Sequence, residues 1–195
     1  MAETRAAIVE AAGRLFSARG YTGTTIEAIA DEAGVVVQTI YNSIGPKSAV
    51  LSAVLDRAAS GPESPRSVPE FMSERAEATS NAAGMIAVLA DWFAEAMPRT
   101  ADVMGVIHQA AAVDVDIADL EDKRAAQRFQ NYLAAASQLA ARPGAAGRSA
   151  EEVAATIWSI GHPQVYRFLV EDQGWDLDRY RQWVTDCLVG VLAES

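Results

Sequence analysis

The sequence predicts an all-α protein, and three observations carry that prediction. Apolar residues recur at the 3.6-residue period, as in Ile8, Ala12, Leu15 and Phe16, and again in Tyr180, Trp183, Val184, Cys187, Leu188 and Val191. No stretch alternates apolar and polar residues as a half-buried strand requires. Helix-starting and helix-stopping residues fall where the periodic segments begin and end. There is no internal repeat. The prediction is of three short N-terminal helices followed by a larger helical domain, with the division at 1–47 and 48–195.

The elements follow in order. Residues 4–19 are amphipathic, and Gly20 stops them as a glycine just past a C-terminus does. Thr24 and Glu27 have the spacing of a capping box, with Ile26, Ile29 and Ala30 on the buried side of the next helix. Ala33-Gly34 ends it, Gly34 serving as the left-handed turn residue. The stretch VVVQTIYNSI at 35–44 has strand-like composition. Its spacing is helical: Val36, Val37, Ile40 and Ile44 share one side, while Gln38, Thr39, Asn42 and Ser43 share the other. A helix of about seven to nine residues is therefore expected between two turns. Gly45 and Pro46 then read as N-cap and first residue of a helix over 46–59. The segment 60–69, with three prolines, is the clearest break in the chain. Further helices are expected at 70–80, 84–97, 101–113, 117–141, 150–170 and 177–193. Ser149 with Glu152 starts the fifth of these and Asp176 the last.

Charge and composition exclude several classes of function. The chain has 195 residues and a net charge of −10, which argues against a generic nucleic-acid coat protein. Residues 1–58 hold five bases and six acids, so they are near neutral and the remainder carries the acidity. Any anionic partner therefore meets the first 58 residues. The longest apolar stretch, GMIAVLADWFAEAM, contains Asp91 and Glu95 and does not span a membrane. The N-terminus lacks the apolar core of a signal peptide. A single cysteine, Cys187, fits a reducing cytoplasm. With two histidines and one cysteine, metal and Ser/Cys-His chemistry have little to work with, and no cofactor is expected.

Three short helices, the second and third joined by a tight glycine turn, describe a helix-turn-helix. Residues 8–55 resemble the DNA-binding domain of the TetR family of bacterial transcriptional regulators. The matching residues are Ile8, Ala11, Ala12, Leu15, Phe16, Gly20, Tyr21, Thr25, Ile29, Ala30, Ala33, Gly34, Val35, Thr39, Tyr41, Lys47 and Leu51. Two positions depart from the family pattern: Val36 stands where serine is usual, and Ile44 where an aromatic is usual. Serine at 36 would cap the reading helix, and losing a cap costs about 1 kcal/mol. The resemblance implies a homodimeric repressor on a pseudo-palindromic double-stranded DNA operator. It also implies a helical C-terminal domain that binds a small-molecule effector and changes the spacing of the two heads.

The residues of the third helix suit that role. Gln38 has the donor and acceptor for adenine, and Val37 an apolar face for a thymine methyl. Asn42 suits adenine or a phosphate. Thr25, Thr39 and Tyr41 are donors suited to phosphate oxygens, and Lys47 lies in the first turn of a helix whose free N–H groups attract anions. The absence of Arg and Lys from the reading helix predicts A·T-leaning contacts and a shallow salt dependence.

In the larger domain, the resemblance assigns the last two helices to dimerisation, through Ile157, Phe168, Tyr180, Trp183, Val184, Cys187, Leu188 and Val191. Trp92, Met104, His108, Phe129, Tyr132 and Trp158 are candidates for a pocket taking a small apolar or aromatic effector. Ordinary core packing is the competing reading of both sets. An all-α enzyme would need a polar catalytic cluster in the central helices, and none is visible. A further alternative is a helical small-molecule-binding protein with a weak DNA-binding head that acts through a protein partner. Three motif-like stretches carry no chemistry. GPKS lacks the upstream glycine of a phosphate loop, DVDIADLED lacks the glycine and distal glutamate of a cation loop, and IWSIGH lacks the leading glycine of a nucleophile elbow.

Overall fold

The computed structural model describes residues 2–61, 68–145 and 148–192, and all regular elements among them are helical. The chain divides into two compact units, residues 1–63 with 102–124, and residues 64–101 with 125–195. The expected boundary after residue 47 falls inside the first unit.

The first unit is built on α1 (Ala2–Arg19), α2 (Ile26–Ala33), α3 (Val37–Ser43) and α4 (Lys47–Ser60). Ile8, Ala12, Leu15 and Phe16 of α1 meet Ile26, Ile29, Ile40, Val50, Leu51 and Val54 in one buried cluster. Residues 102–111, the end of α6 (Ala82–Ala111), and the start of α7 (Val115–Ala140) complete this unit, adding Ile107, Ala110 and Ile117 to the same core. Arg124 is tied to α4 by hydrogen bonds to Ser52 and to Asp56.

Two local expectations shift by one residue. The N-cap of α2 is Thr25, whose hydroxyl accepts from the Ala28 N–H, and not Thr24. Thr24 is buried, and its hydroxyl donates to the Leu15 and Gly20 carbonyls, closing the turn after α1. Pro46 is the N-cap of α4 and Lys47 its first residue. Gly34 adopts φ 67° and its N–H returns to Ala30 and Asp31, the left-handed stop that the sequence places there.

The second unit contains α5 (Val68–Glu77), the earlier part of α6, the later part of α7, α8 (Ala150–Ile160), α9 (Pro163–Tyr166) and α10 (Leu177–Leu192). Its core is aromatic and aliphatic: Phe93, Tyr132, Leu139, Val153, Ile157, Tyr166, Tyr180, Val184 and Leu188. The N-terminus of α8 has the complete Ser149–Glu152 capping box, and Asp176 accepts from the Arg179 N–H at the start of α10. Arg142 donates to the Ala76 and Thr79 carbonyls, tying the segment after α7 to the end of α5.

Two helix assignments change. The expected helices 84–97 and 101–113 are one helix, α6, with Pro98 inside it. Ala94, Ala96, Met97 and Ala101 flank the proline and are all buried, so core packing carries the helix across the missing N–H. The expected helix 150–170 is instead broken at Gly161-His162-Pro163, where proline follows a residue it drives out of the α region. Gly161 is required there, because a Cβ would lie 2.3 Å from the Phe93 ring. Beyond α9 the chain widens into a π-helical turn, Arg167–Asp172. Most of the proline-rich break at 60–69 and part of the loop 142–148 lie outside the described residues.

Each unit contains a buried phenol that resists ionisation. Burial raises Tyr21 from 10.0 to about 12, with Asp114 and Asp116 adding to it, and burial raises Tyr132 from 10.0 to about 12 against an opposing pull from Arg128. In the unfolded chain both phenols ionise near pH 10, so the folded state binds more protons above that value. The stability this represents is complete below pH 10 and is lost as pH rises toward about 12. Helical circular dichroism followed through alkaline titration should fall in that window together with the rise of phenolate absorbance; replacing Tyr21 or Tyr132 by Phe should move the transition to higher pH.

Candidate nucleic-acid interface

The third helix presents a divided surface. Ile40 is fully buried, and Val37 and Ile44 pack at the edge of the head core. Gln38, Tyr41 and Asn42 are exposed and Thr39 is half-buried, so the polar side turns to solvent as the spacing predicts. Tyr41 is 50% exposed, a large aromatic left uncovered. The Gln38 side-chain amide donates to the Asn42 carbonyl oxygen at 2.9 Å, one turn further on. The two side chains thus form one pre-arranged unit that retains free donors and acceptors. At the C-terminal end, the Arg5 guanidinium donates to the Ser43 carbonyl at 2.8 Å.

The start of this helix is uncapped. Val36 holds extended N-cap geometry, φ −86° and ψ 150°, and its side chain makes no capping bond. It is also 69% exposed, so its isopropyl group contributes little packing. Thr25 is exposed at the N-terminus of α2, as its N-cap. Lys47 is turned inward. Its ammonium donates to the Tyr21 and Thr24 carbonyls at 3.0 Å each and lies 3.9 Å above the Tyr21 ring.

A family model described as bacterial regulatory proteins, tetR family, matches residues 8–54, which span this constellation. The head thus matches the family's DNA-binding domain. Among curated proteins the chain has no match. Its fold is shared with NalD of Pseudomonas aeruginosa, the secondary repressor of the MexAB-OprM multidrug efflux pump, at 18% identity and a TM-score of 0.75, covering 98% of this chain and 97% of that one. It is also similar to a protein of Saccharomonospora viridis solved with choline, at 20% identity, TM-score 0.71 and full coverage of both chains. A third similar structure is FadR of Bacillus subtilis with stearoyl-CoA, at 17% identity and TM-score 0.72, covering 96% of this chain and 98% of that one.

In the second unit and beyond it, the candidate effector residues divide. Phe129, Tyr132 and Trp158 come together in the second unit: Trp158 meets Phe129 at 5.8 Å and Tyr132 at 6.2 Å between ring centroids. Phe93 and His162 extend the cluster, and the Arg128 guanidinium lies 4.3 Å from the centre of the Trp158 ring. Trp92 packs on Phe71 instead. Met104 and His108 belong to the first unit, where His108 is exposed and bonded to Glu121 at 2.8 Å. Sequence periodicity marks Tyr180 as one of the apolar stripe on α10. The structure adds that its hydroxyl is buried with no hydrogen-bond partner among the described residues.

The candidate dimer residues also divide. Ile157, Tyr180, Val184 and Leu188 are wholly inside the core of their own chain. Phe168 is 54% exposed, and Trp183, Cys187 and Val191 keep part of their surface open. The stripe reads as one seam in sequence because a 3-4 spacing does not separate the inner from the outer half of a wide apolar face. Among the described residues no three His, Cys, Asp or Glu side chains gather as metal ligands. No described helix is long and apolar enough to cross a membrane.

Replacing the uncapped valine tests the reading of the helix start. Val36→Ser supplies the missing acceptor in a backbone geometry already suited to it and should stabilise the head by about 1 kcal/mol. Hydrogen exchange of the amides of residues 37–43 should slow; unchanged exchange with an unchanged melting curve would count against the cap assignment.

Proposed function

We propose that this protein is a ligand-responsive, sequence-specific DNA-binding transcriptional regulator, a homodimeric repressor released by a small apolar or aromatic effector. The observation that carries the proposal is the polar face of α3, with Gln38, Tyr41 and Asn42 exposed on a helix anchored from behind by Ile40. The Gln38–Asn42 pair faces the base edges, Val37 supplies an apolar contact, and Thr25, Thr39 and Tyr41 fix register on phosphates. Phe168, Trp183, Cys187 and Val191 are the apolar surface left for the second copy.

The effector site proposed is the aromatic cluster of Phe129, Tyr132 and Trp158. The face of Trp158 already holds the Arg128 guanidinium, so a cationic effector meets a like charge where it would stack. The buried hydroxyl of Tyr180 offers a neutral donor nearby in the same core. A flat, uncharged effector bearing one hydrogen-bond acceptor fits both features.

Two measurements test this reading. In an electrophoretic shift with the chain's own upstream DNA at low salt, the wild type should bind. Gln38→Ala and Asn42→Ala should each weaken binding, and the double variant should lose less than the sum, because the pair acts as one unit. No shift by the wild type would favour a head that works through a protein partner. In a thermal-shift series, acetophenone should raise the melting temperature by about 2–4 °C per kcal/mol of binding energy and choline should not. The Trp158→Ala variant should lose the acetophenone effect. A choline response equal to that of acetophenone would refute the assignment of effector class.

A further inference from the structure

Lys47 is the one lysine of the head, and its position beside the reading helix invites a phosphate contact. Its surroundings point to a different use. Two of its three donors are engaged by the Tyr21 and Thr24 carbonyls, and the ammonium sits on the face of the Tyr21 ring. Those carbonyls belong to the turn between α1 and α2, which has no other side-chain closure than the Thr24 hydroxyl among the described residues. Lys47 itself is the first residue of α4.

We propose that Lys47 is a positioning residue of the reading head, joining the α1–α2 turn to the start of α4 and thereby setting where α3, strung between α2 and α4, stands against DNA. This rests on the DNA-binding reading above. Further features support it. The ring beneath the ammonium is itself buried and stacked on Phe16 at 5.9 Å, so the clamp is seated on the head core. The carboxylate of Asp114, which caps the first turn of α7 through the Asp116 and Ile117 amides, lies near enough to act on both Lys47 and Tyr21. Burial draws the Lys47 ammonium below its ordinary pKa, and Asp114 pulls it part of the way back, as expected for a cation withdrawn from water. A lysine reserved for phosphate would keep its head in solvent.

The two roles separate in salt dependence. A phosphate contact contributes about 0.9 to the slope of log K against log salt, and a clamp contributes nothing to it. Full-length Lys47→Met and Lys47→Gln are compared with wild type by fluorescence anisotropy on the upstream DNA across a range of salt. The expected result is at least a tenfold loss of affinity for Lys47→Met at every salt concentration, with the slope unchanged. Lys47→Gln, which keeps an N–H donor on a side chain one atom shorter, should fall between. Without DNA, hydrogen exchange at residues 20–26 should accelerate in Lys47→Met and less so in Lys47→Gln. Either a slope reduced by about 0.9 for each head, or unchanged affinity and unchanged exchange, would overturn the proposal. Should the wild type itself fail to bind, the functional reading fails and the exchange data alone decide the clamp. If Lys47→Met does not fold, the Lys47→Gln slope and exchange give the same decision.

Discussion

An isolated helix of seven residues does not persist in water, because so few hydrogen bonds cannot repay the cost of nucleation. The reading helix has that length, three β-branched residues and no N-cap, so tertiary contact must hold it in shape. That contact is Ile40, fully buried between α1, α2 and α4, with Val37 and Ile44 at its margins. Everything proposed for the exposed face depends on this one side chain. It fixes the rotation of α3, and rotation decides which residues meet solvent. The flanking polar contacts refine the placement: the Gly34 stop aligns the incoming turn, and Arg5 takes up the Ser43 carbonyl at the far end.

The charges of the head are committed in the same way. Arg14 pairs with Glu10 and Glu32, Arg5 with a carbonyl, and Lys47 with two. On the DNA-binding reading proposed above, few cations are left to release counterions, so nonspecific attraction to DNA should be small and recognition should fall to hydrogen bonds and apolar contacts at base edges. On the same reading this division would have a use in an acidic chain: weak background binding would keep the ratio of specific to nonspecific affinity high even at modest absolute affinity.

Much of this was legible in the sequence, for reasons visible in particular residues. The helical period of Val36, Val37, Ile40 and Ile44 outweighed a strand-like composition because burial follows spacing, and the structure puts Ile40 at the centre of that pattern. Gly34, Ser149 and Asp176 were legible because each answers a local requirement of a helix end. The two prolines were not. Pro98 and Pro163 pose the same local problem, but buried alanines and Met97 carry the first helix through, while Gly161 and His162 yield at the second. Nor does sequence reveal which of two adjacent threonines caps α2. Thr24 satisfies its hydroxyl on α1, a partner set by tertiary approach, and this leaves Thr25 to cap.

The second unit poses a different constraint, that of polar groups inside an aromatic core. Tyr132, Tyr166 and Tyr180 are each buried, and Tyr180 lies against Tyr166 at 5.3 Å and Trp183 at 6.2 Å. Burial raises the Tyr180 phenol, with Tyr132 and Tyr166 contributing, so it remains a neutral donor throughout the physiological range. A buried hydroxyl without an acceptor costs about 1–3 kcal/mol. A phenylalanine at 180 would pack the same ring at no such cost. The hydroxyl therefore works against the stability of this core, as polar groups at binding sites commonly do. Tyr180, which helical periodicity marks only as apolar filler, is therefore the polar point toward which the effector proposed above would be drawn.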